Sequence, residues 1–235
     1  MNFDFSGLRA LSFDCYGTIV DWETGLLRAL KPLLDKTNMS VDAALSAFAG
    51  SEAFEEARTP GKRYPLILET VCRTLAAKWN VAVSDDDVRA FGASVPAWPP
   101  FADSSSALKR LQSRFKLCIL SNVDHESFAG TERALDLKFD LIVTAQDVGT
   151  YKPNLKNFRT LLERVSDMNI APNQVLHVAE SLFHDHVPAQ SLGLKTCWID
   201  RRQGKGGGAS AAKAVSVKPD LTFFSLAELA TAASV

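Results

Sequence analysis

Leu8-Arg9-Ala10-Leu11-Ser12-Phe13-Asp14-Cys15-Tyr16-Gly17-Thr18 decides the reading of the chain. A short β-rich run ends abruptly on a carboxylate and a glycine turn, as a buried strand does where it leaves a sheet. Further runs of this kind recur at residues 115–120, 141–144, 175–178 and 196–199. Amphipathic helical patterns separate them. Residues 104–114 place Leu108 and Leu111 on one face, with serines at the start as N-cap candidates. Residues 157–165 place Phe158, Leu161, Leu162 and Val165 at helical spacing. Strands that are apolar throughout and alternate with helices predict an α/β fold with a parallel sheet covered on both faces.

One segment breaks the alternation. From Trp22 to Trp98 the pattern is helical, over residues 24–36, 41–57, 64–79 and 85–95, and it stops at Pro96-Ala97-Trp98-Pro99-Pro100. A helical insertion between the first and second strands leaves and re-enters at one end of the sheet, so it can cap that end. The expected division is a core of residues 1–21 and 99–235 with a helical cap of residues 22–98. Ligands of parallel sheets bind at the carboxyl ends of the strands, so such a cap would close over a site. Residues 201–218, with Gly204, Gly206, Gly207 and Gly208, read as a flexible surface loop rather than a phosphate cradle.

Composition sets outer limits. The 235 residues are 46% apolar and 23% charged, and 26 basic against 27 acidic side chains leave a net charge of −1. That balance offers no field for nucleic acid or anionic lipid, and no apolar stretch reaches the ~20 residues of a membrane span. The first six residues lack the basic start of a signal peptide. Cys15, Cys72, Cys118 and Cys197 are widely spaced, without the pairs of a zinc site. These features predict a cytoplasmic enzyme or binding protein with reduced, structural cysteines.

The residues just past each strand carry the chemistry. The first strand delivers Asp14, the second Ser121-Asn122, the connection after the third Tyr151-Lys152-Pro153, and the fourth Glu180-Ser181-Leu182-Phe183-His184-Asp185. In this order they resemble the four motifs of the haloacid dehalogenase superfamily: an Asp-x-x-x-Thr loop, a Ser or Thr, a Lys and an acidic turn. The likeness spans Asp14 to Asp185 and implies that family's Rossmann-like core with an inserted cap. The run from Phe13 to Asp21 is similar to the type II 2-haloacid dehalogenases. The runs 14–25 and 179–186 are closer still to the related hydrolases that open azetidine-2-carboxylate.

What each residue can do follows from its chemistry. Asp14 is the candidate nucleophile, since a carboxylate can displace a leaving group and divide a hard step in two. Lys152 would hold it ionised. Thr18 and Ser121 can donate hydrogen bonds to the nucleophile or to a substrate carboxylate, and Asn122 adds further donors. Asp185 could orient or deprotonate the hydrolytic water. Phosphatases of the superfamily carry a second Asp where this chain has Tyr16, an acid needed for an alkoxide but not for a halide or a protonated amine. Glu180 points the other way. With Asp14, Asp185 and a Tyr16 carbonyl it could hold Mg²⁺, or it could pair with Lys152 and leave no room for metal. Phe158 stands where dehalogenases commonly have Tyr, and Trp22 has two open readings, as a wall of the pocket or as packing at the hinge. Arg58 and Arg63 read as ordinary surface arginines, and by location alone they are also candidates for the arginine that receives a halide.

The expected function is a metal-independent hydrolase of a small 2-substituted carboxylic acid, acting through an aspartyl ester, with that carboxylate as its partner. The alternatives are a Mg²⁺-dependent phosphatase and a binding protein on the same scaffold. No nucleic acid or membrane partner is expected, and a homodimer stays open.

Overall fold

The computed structural model describes residues 3–204 and 216–235. Among them a parallel sheet of six strands runs in the order β3-β2-β1-β4-β5-β6. The strands are β1 (Ala10–Phe13), β2 (Lys116–Ser121), β3 (Leu141–Thr144), β4 (Val175–Ala179), β5 (Lys195–Ile199) and β6 (Leu221–Phe223). β1 and β4 are buried along their whole length, as strands sandwiched between helix layers must be. The strand order reverses between β1 and β4, so their carboxyl ends open the crevice where α/β folds bind ligands. The architecture is Rossmann-like. β6 was not expected; it is a three-residue edge strand with a polar centre, Thr222.

Between β1 and β2 lie α1 (Trp22–Leu34), α2 (Val41–Arg58), α3 (Tyr64–Lys78), α4 (Asp85–Gly92) and a 3₁₀ turn, Val95–Ala97. Their ends are set by side chains. Asp21 accepts from the Thr24 N–H to start α1, and Ser84 with Asp87 closes a capping box on α4. The two crossings into this segment lie side by side: Asp21 N–H donates to Pro99 O at 2.8 Å and Phe101 N–H to Ile19 O at 3.0 Å. There Gly25 permits a close approach, since a Cβ on it would stand 2.3 Å from Trp98 Cγ.

The remaining helices flank the sheet: α5 (Ser104–Gln112), α6 (His125–Leu135), α7 (Ala145–Val148), α8 (Leu155–Asp167), α9 (Val187–Ser191) and α10 (Leu226–Ala232). The expected serine cap of α5 is corrected. Asp103 holds the cap position, and Ser104 Oγ instead donates to Ile19 O at 2.7 Å. The expected loop of residues 201–218 is corrected at its start. Arg201 is fixed by hydrogen bonds to Thr18 O, an ion pair with Asp103 and stacking 4.2 Å over Phe101. Residues 205–215 of that stretch lie outside the described residues. All four cysteines are buried and unbridged. Among the described residues no helix is long and apolar enough to cross a membrane.

Candidate active site

Asp14 leaves β1 at the centre of the sheet, and its N–H is held by Val178 O of β4 at 3.0 Å. One carboxylate oxygen accepts from Lys152 Nζ at 2.8 Å, the other from Thr18 Oγ1 at 2.8 Å. Thr18 is fully buried, and its own oxygen accepts from the Glu180 N–H at 2.9 Å. It orients the Asp14 carboxylate from behind rather than touching the cavity.

Lys152 is buried and spends its three N–H donors on Asp14, on Asp185 Oδ1 at 2.7 Å and on Leu120 O at 3.0 Å. The expected Lys152–Glu180 pair is therefore corrected: the ammonium is complete without Glu180. Asn122 seats the lysine by accepting from its backbone N–H at 2.7 Å.

Asp185 sits in a single π-turn, Leu182–His186, capped by Ser181 Oγ. Turns of this kind re-aim one side chain and are frequent at functional sites. His177 Nε2 lies 3.0 Å from Asp185 Oδ1, and Ser12 Oγ lies 2.9 Å from His177 Nδ1. Ser12 and His177 are register partners on β1 and β4, which brings their side chains together. Two buried carboxylates thus share one ammonium. Burial works against both charges, but Lys152 and His177 outweigh it at Asp185 and hold that carboxyl below the usual range. At Asp14 burial prevails and pushes the carboxyl up, opposed by Lys152 and reinforced by the Asp185 charge. Burial would lower the lysine, and the two carboxylates raise it instead.

A cavity of about 410 Å³, the size of a small-molecule site, opens over these groups. Asp14, Tyr16, Ser121, Asn122, Lys152, Glu180 and Asp185 line it from the sheet side. Trp22, Glu52, Glu56, Tyr64 and Trp98 line it from the helical segment. The Tyr16 hydroxyl is engaged with Thr131 Oγ1 at 3.0 Å, and its ring stands edge-on to Trp98. Ser121 Oγ is buried, with no hydrogen-bond partner among the described residues; so is Asp185 Oδ2.

One expectation fails here. Phe158 is not a substrate contact; it is fully buried in the α8 layer, edge-on to His177. Arg58 and Arg63 do not line the cavity. They point outward and pair with Glu55 and with Asp124 and Glu126. Among the described residues no group of three or more His, Cys, Asp or Glu side chains is arranged to hold a metal ion. Both Asp14 oxygens accept hydrogen bonds, Asp185 Oδ1 is shared by Lys152 and His177, and the ammonium stands between the two carboxylates.

Four residues went unread in the sequence: Glu52, Glu56, Tyr64 and His177. The first two carried a signal, an i,i+4 pair of acids with no base at helical spacing, which disfavours a helix unless something else uses it.

The family model of the haloacid dehalogenase-like hydrolases matches residues 8–182. Among curated proteins, the chain is 31% identical over 111 residues to haloacid dehalogenase-like hydrolase domain-containing protein 3 of Danio rerio, covering 46% of this chain and 44% of that one. It is 29% identical over 116 residues to the pyrimidine 5'-nucleotidase YjjG of Escherichia coli K12, covering 46% and 49%. The match thus spans about half the length of these relatives. Among solved structures, the L-2-haloacid dehalogenase of Xanthobacter autotrophicus with covalently bound chloropropionic acid superposes with a TM-score of 0.78. The identity there is 14%, over 95% of this chain and 97% of that one, so the likeness is one of fold.

Proposed function

The chain belongs to the haloacid dehalogenase-like hydrolases, and from that premise we propose that it cleaves a small 2-substituted carboxylic acid through an ester on Asp14. The observation that carries this is the single ammonium of Lys152 between Asp14 and Asp185. Alkylation of Asp14 removes one of the two buried negative charges and leaves Lys152 and Asp185 as a balanced pair. The covalent intermediate is thus favoured by the same low dielectric that burdens the resting site. Asp185 Oδ2 then serves the water that attacks the ester carbonyl, returning Asp14 and releasing a 2-hydroxy acid.

The donors around the cavity suit that substrate. Ser121 Oγ is placed for a substrate carboxylate, and the helical segment works as a cap that keeps bulk water from the ester. The Tyr16 hydroxyl is bonded to Thr131, so no side chain at that position is ready to protonate an alkoxide. No metal is required, because Lys152 supplies the counter-charge. A binding scaffold would have no use for two buried carboxylates on one ammonium, an arrangement that costs several kcal/mol per desolvated ion.

The second reading, a Mg²⁺-dependent phosphatase, draws on Glu180 in the cavity wall and on the likeness to the nucleotidase. A panel of 2-haloacids, azetidine-2-carboxylate and phosphomonoesters, each with and without a chelator, separates the two. Turnover of a 2-substituted acid that survives the chelator is expected. Phosphomonoester turnover abolished by the chelator and restored by Mg²⁺ would overturn the proposal.

A further inference from the structure

The cap wall of the cavity carries charge of the wrong sign for a departing halide. Glu52 and Glu56 stand one turn apart on α2 and both line the cavity. Neither has a Lys, Arg or His within ion-pair distance among the described residues. Their neighbour shows that cations were within reach of this helix: Glu55 pairs with Arg58 at 2.8 Å and Lys62 at 3.1 Å. The two cavity-facing acids have only neutral donors. Tyr64 donates its hydroxyl hydrogen to Glu52 Oε1, and Asn122 Nδ2 lies 3.4 Å from Glu56 Oε2.

An independent observation marks the opposite polarity on the other wall. Ser121 Oγ, buried and without a partner among the described residues, lines the same cavity beside Lys152. A ligand that satisfies both walls has an acceptor at one end and a cation at the other.

Resting on the reading of Asp14 as nucleophile, we propose that the substrate is a small zwitterion, a carboxylate bearing a protonated amine, whose ammonium is held by Glu52 and Glu56. An ammonium supplies the pair with the counter-charge that the protein withholds, in a desolvated site where such a contact is strong. Without it, burial pushes Glu52 up to about 7 and Glu56 well above the usual range, at Glu56 reinforced by the Glu52 charge and opposed by Lys152. An anionic leaving group gains nothing from this wall. Glu52 and Glu56 are specificity residues: they select amino-acid-like substrates over 2-haloacids.

The test uses two inert probes that differ by the ammonium, L-proline and cyclopentanecarboxylate, titrated calorimetrically into the wild-type protein and into Glu52→Gln and Glu56→Gln. Proline is expected to bind at least tenfold more tightly than cyclopentanecarboxylate. That ratio falls to within twofold in either variant, while cyclopentanecarboxylate binding is unchanged or improved. Glu56→Asp, which keeps the charge, retains part of the preference, and circular dichroism verifies that each variant is folded. Equal binding of the two probes by the wild type, or a ratio that survives both Gln variants, overturns the proposal. Mass analysis of the Asp14 peptide separates the two levels. An ester formed from 2-chloropropionate alongside equal probe binding sinks this inference alone. A Glu-dependent preference with no ester from any 2-substituted acid sinks the hydrolytic reading and leaves the amine site standing.

Discussion

His177 presents Nε2 to Asp185 Oδ1 at 3.0 Å, both side chains sealed from solvent between β1 and the π-turn. Asp185, ionised, can only accept, so His177 Nε2 donates to it, and the Ser12 hydroxyl lies 2.9 Å from Nδ1 on the far side of the ring. The imidazole thereby fixes one Asp185 oxygen and leaves Oδ2 without a partner among the described residues, the oxygen that the proposed hydrolysis would use. Replacing His177 with Leu should slow hydrolysis of the ester by about 10- to 100-fold, the range for losing a support of a reacting group. Alkylation of Asp14, which does not use that water, should change little. Gln, whose amide nitrogen can stand in for Nε2, should restore part of the rate. Rapid-quench kinetics with mass analysis of the Asp14 peptide resolves the two steps. Equal loss in both would mean a structural role only.

Chelation provides a second check. Since the Lys152 ammonium already bridges the carboxylates that a cation would need, turnover should be unchanged within twofold by excess EDTA or by added Mg²⁺. Metal-dependent turnover of the 2-substituted acid would show that Lys152 is not the counter-charge on which the reaction relies.

Glu52 should leave a mark on stability. Its folded carboxyl is raised to about 7 by burial, whereas an unfolded one titrates near its ordinary value. Between roughly pH 4.3 and 7 the folded chain keeps a proton that the unfolded chain has released, so this group's contribution to stability falls as pH rises through that window and levels off above it. Glu52→Gln keeps an acceptor for Tyr64 and removes the titration. It should therefore stabilise the free protein at pH 8 by on the order of 1–3 kcal/mol, with little gain at pH 4.5. Urea unfolding at the two pH values measures this. A variant less stable at pH 8 would show that the carboxylate is satisfied in the free protein.

Much of this site was legible because parallel strands announce their ends. Asp14, Ser121, Lys152 and Asp185 lie just beyond apolar runs, and the sheet order then carries them to one crevice. What sequence cannot supply is direction around a helix. Arg58 and Arg63 were attractive because they are basic and near the insertion's middle, yet their side chains leave α2 and the start of α3 on the outer face. Glu52 and Glu56 share α2 with Arg58 but face inward. Phe158 sits at a helical spacing that says only that its face is buried; α8 packs against β3 and β2, and the Phe158 ring meets His177 edge-on. His177 hid inside a strand of core residues, and its partners, Ser12 by register and Asp185 from the π-turn, come from elsewhere in the chain.

The two crossings into the helical segment give a prediction in packing terms. A methyl group on Gly25 would overlap the Trp98 ring, which stands where the chain returns from the helical segment. Gly25→Ala should destabilise the protein by about 1–3 kcal/mol, as overpacked sites do. The Trp98 ring should also be displaced from Tyr16, changing tryptophan fluorescence. Unaltered stability would mean that the two crossings are loosely seated.

The nucleophile itself admits the most direct separation of roles. Asp14→Asn should abolish turnover, because a neutral amide neither attacks carbon nor carries the ester. Asp185→Asn should still permit alkylation, since Lys152 keeps its contact with Asp14, while hydrolysis loses its base. In that variant the ester should accumulate as added mass on the Asp14 peptide. Isotope transfer tests the same order of events in the wild type. In a single turnover in ¹⁸O-water, the water attacks the Asp14 carbonyl, so label should enter the Asp14 carboxylate and the product should leave unlabelled. Only later turnovers pass label onward, through an Asp14 oxygen acquired earlier. Label in the product of the first turnover would mean that water attacks the substrate directly. Asp14 would then act as a base, and the relief of buried charge by alkylation would play no part in the reaction.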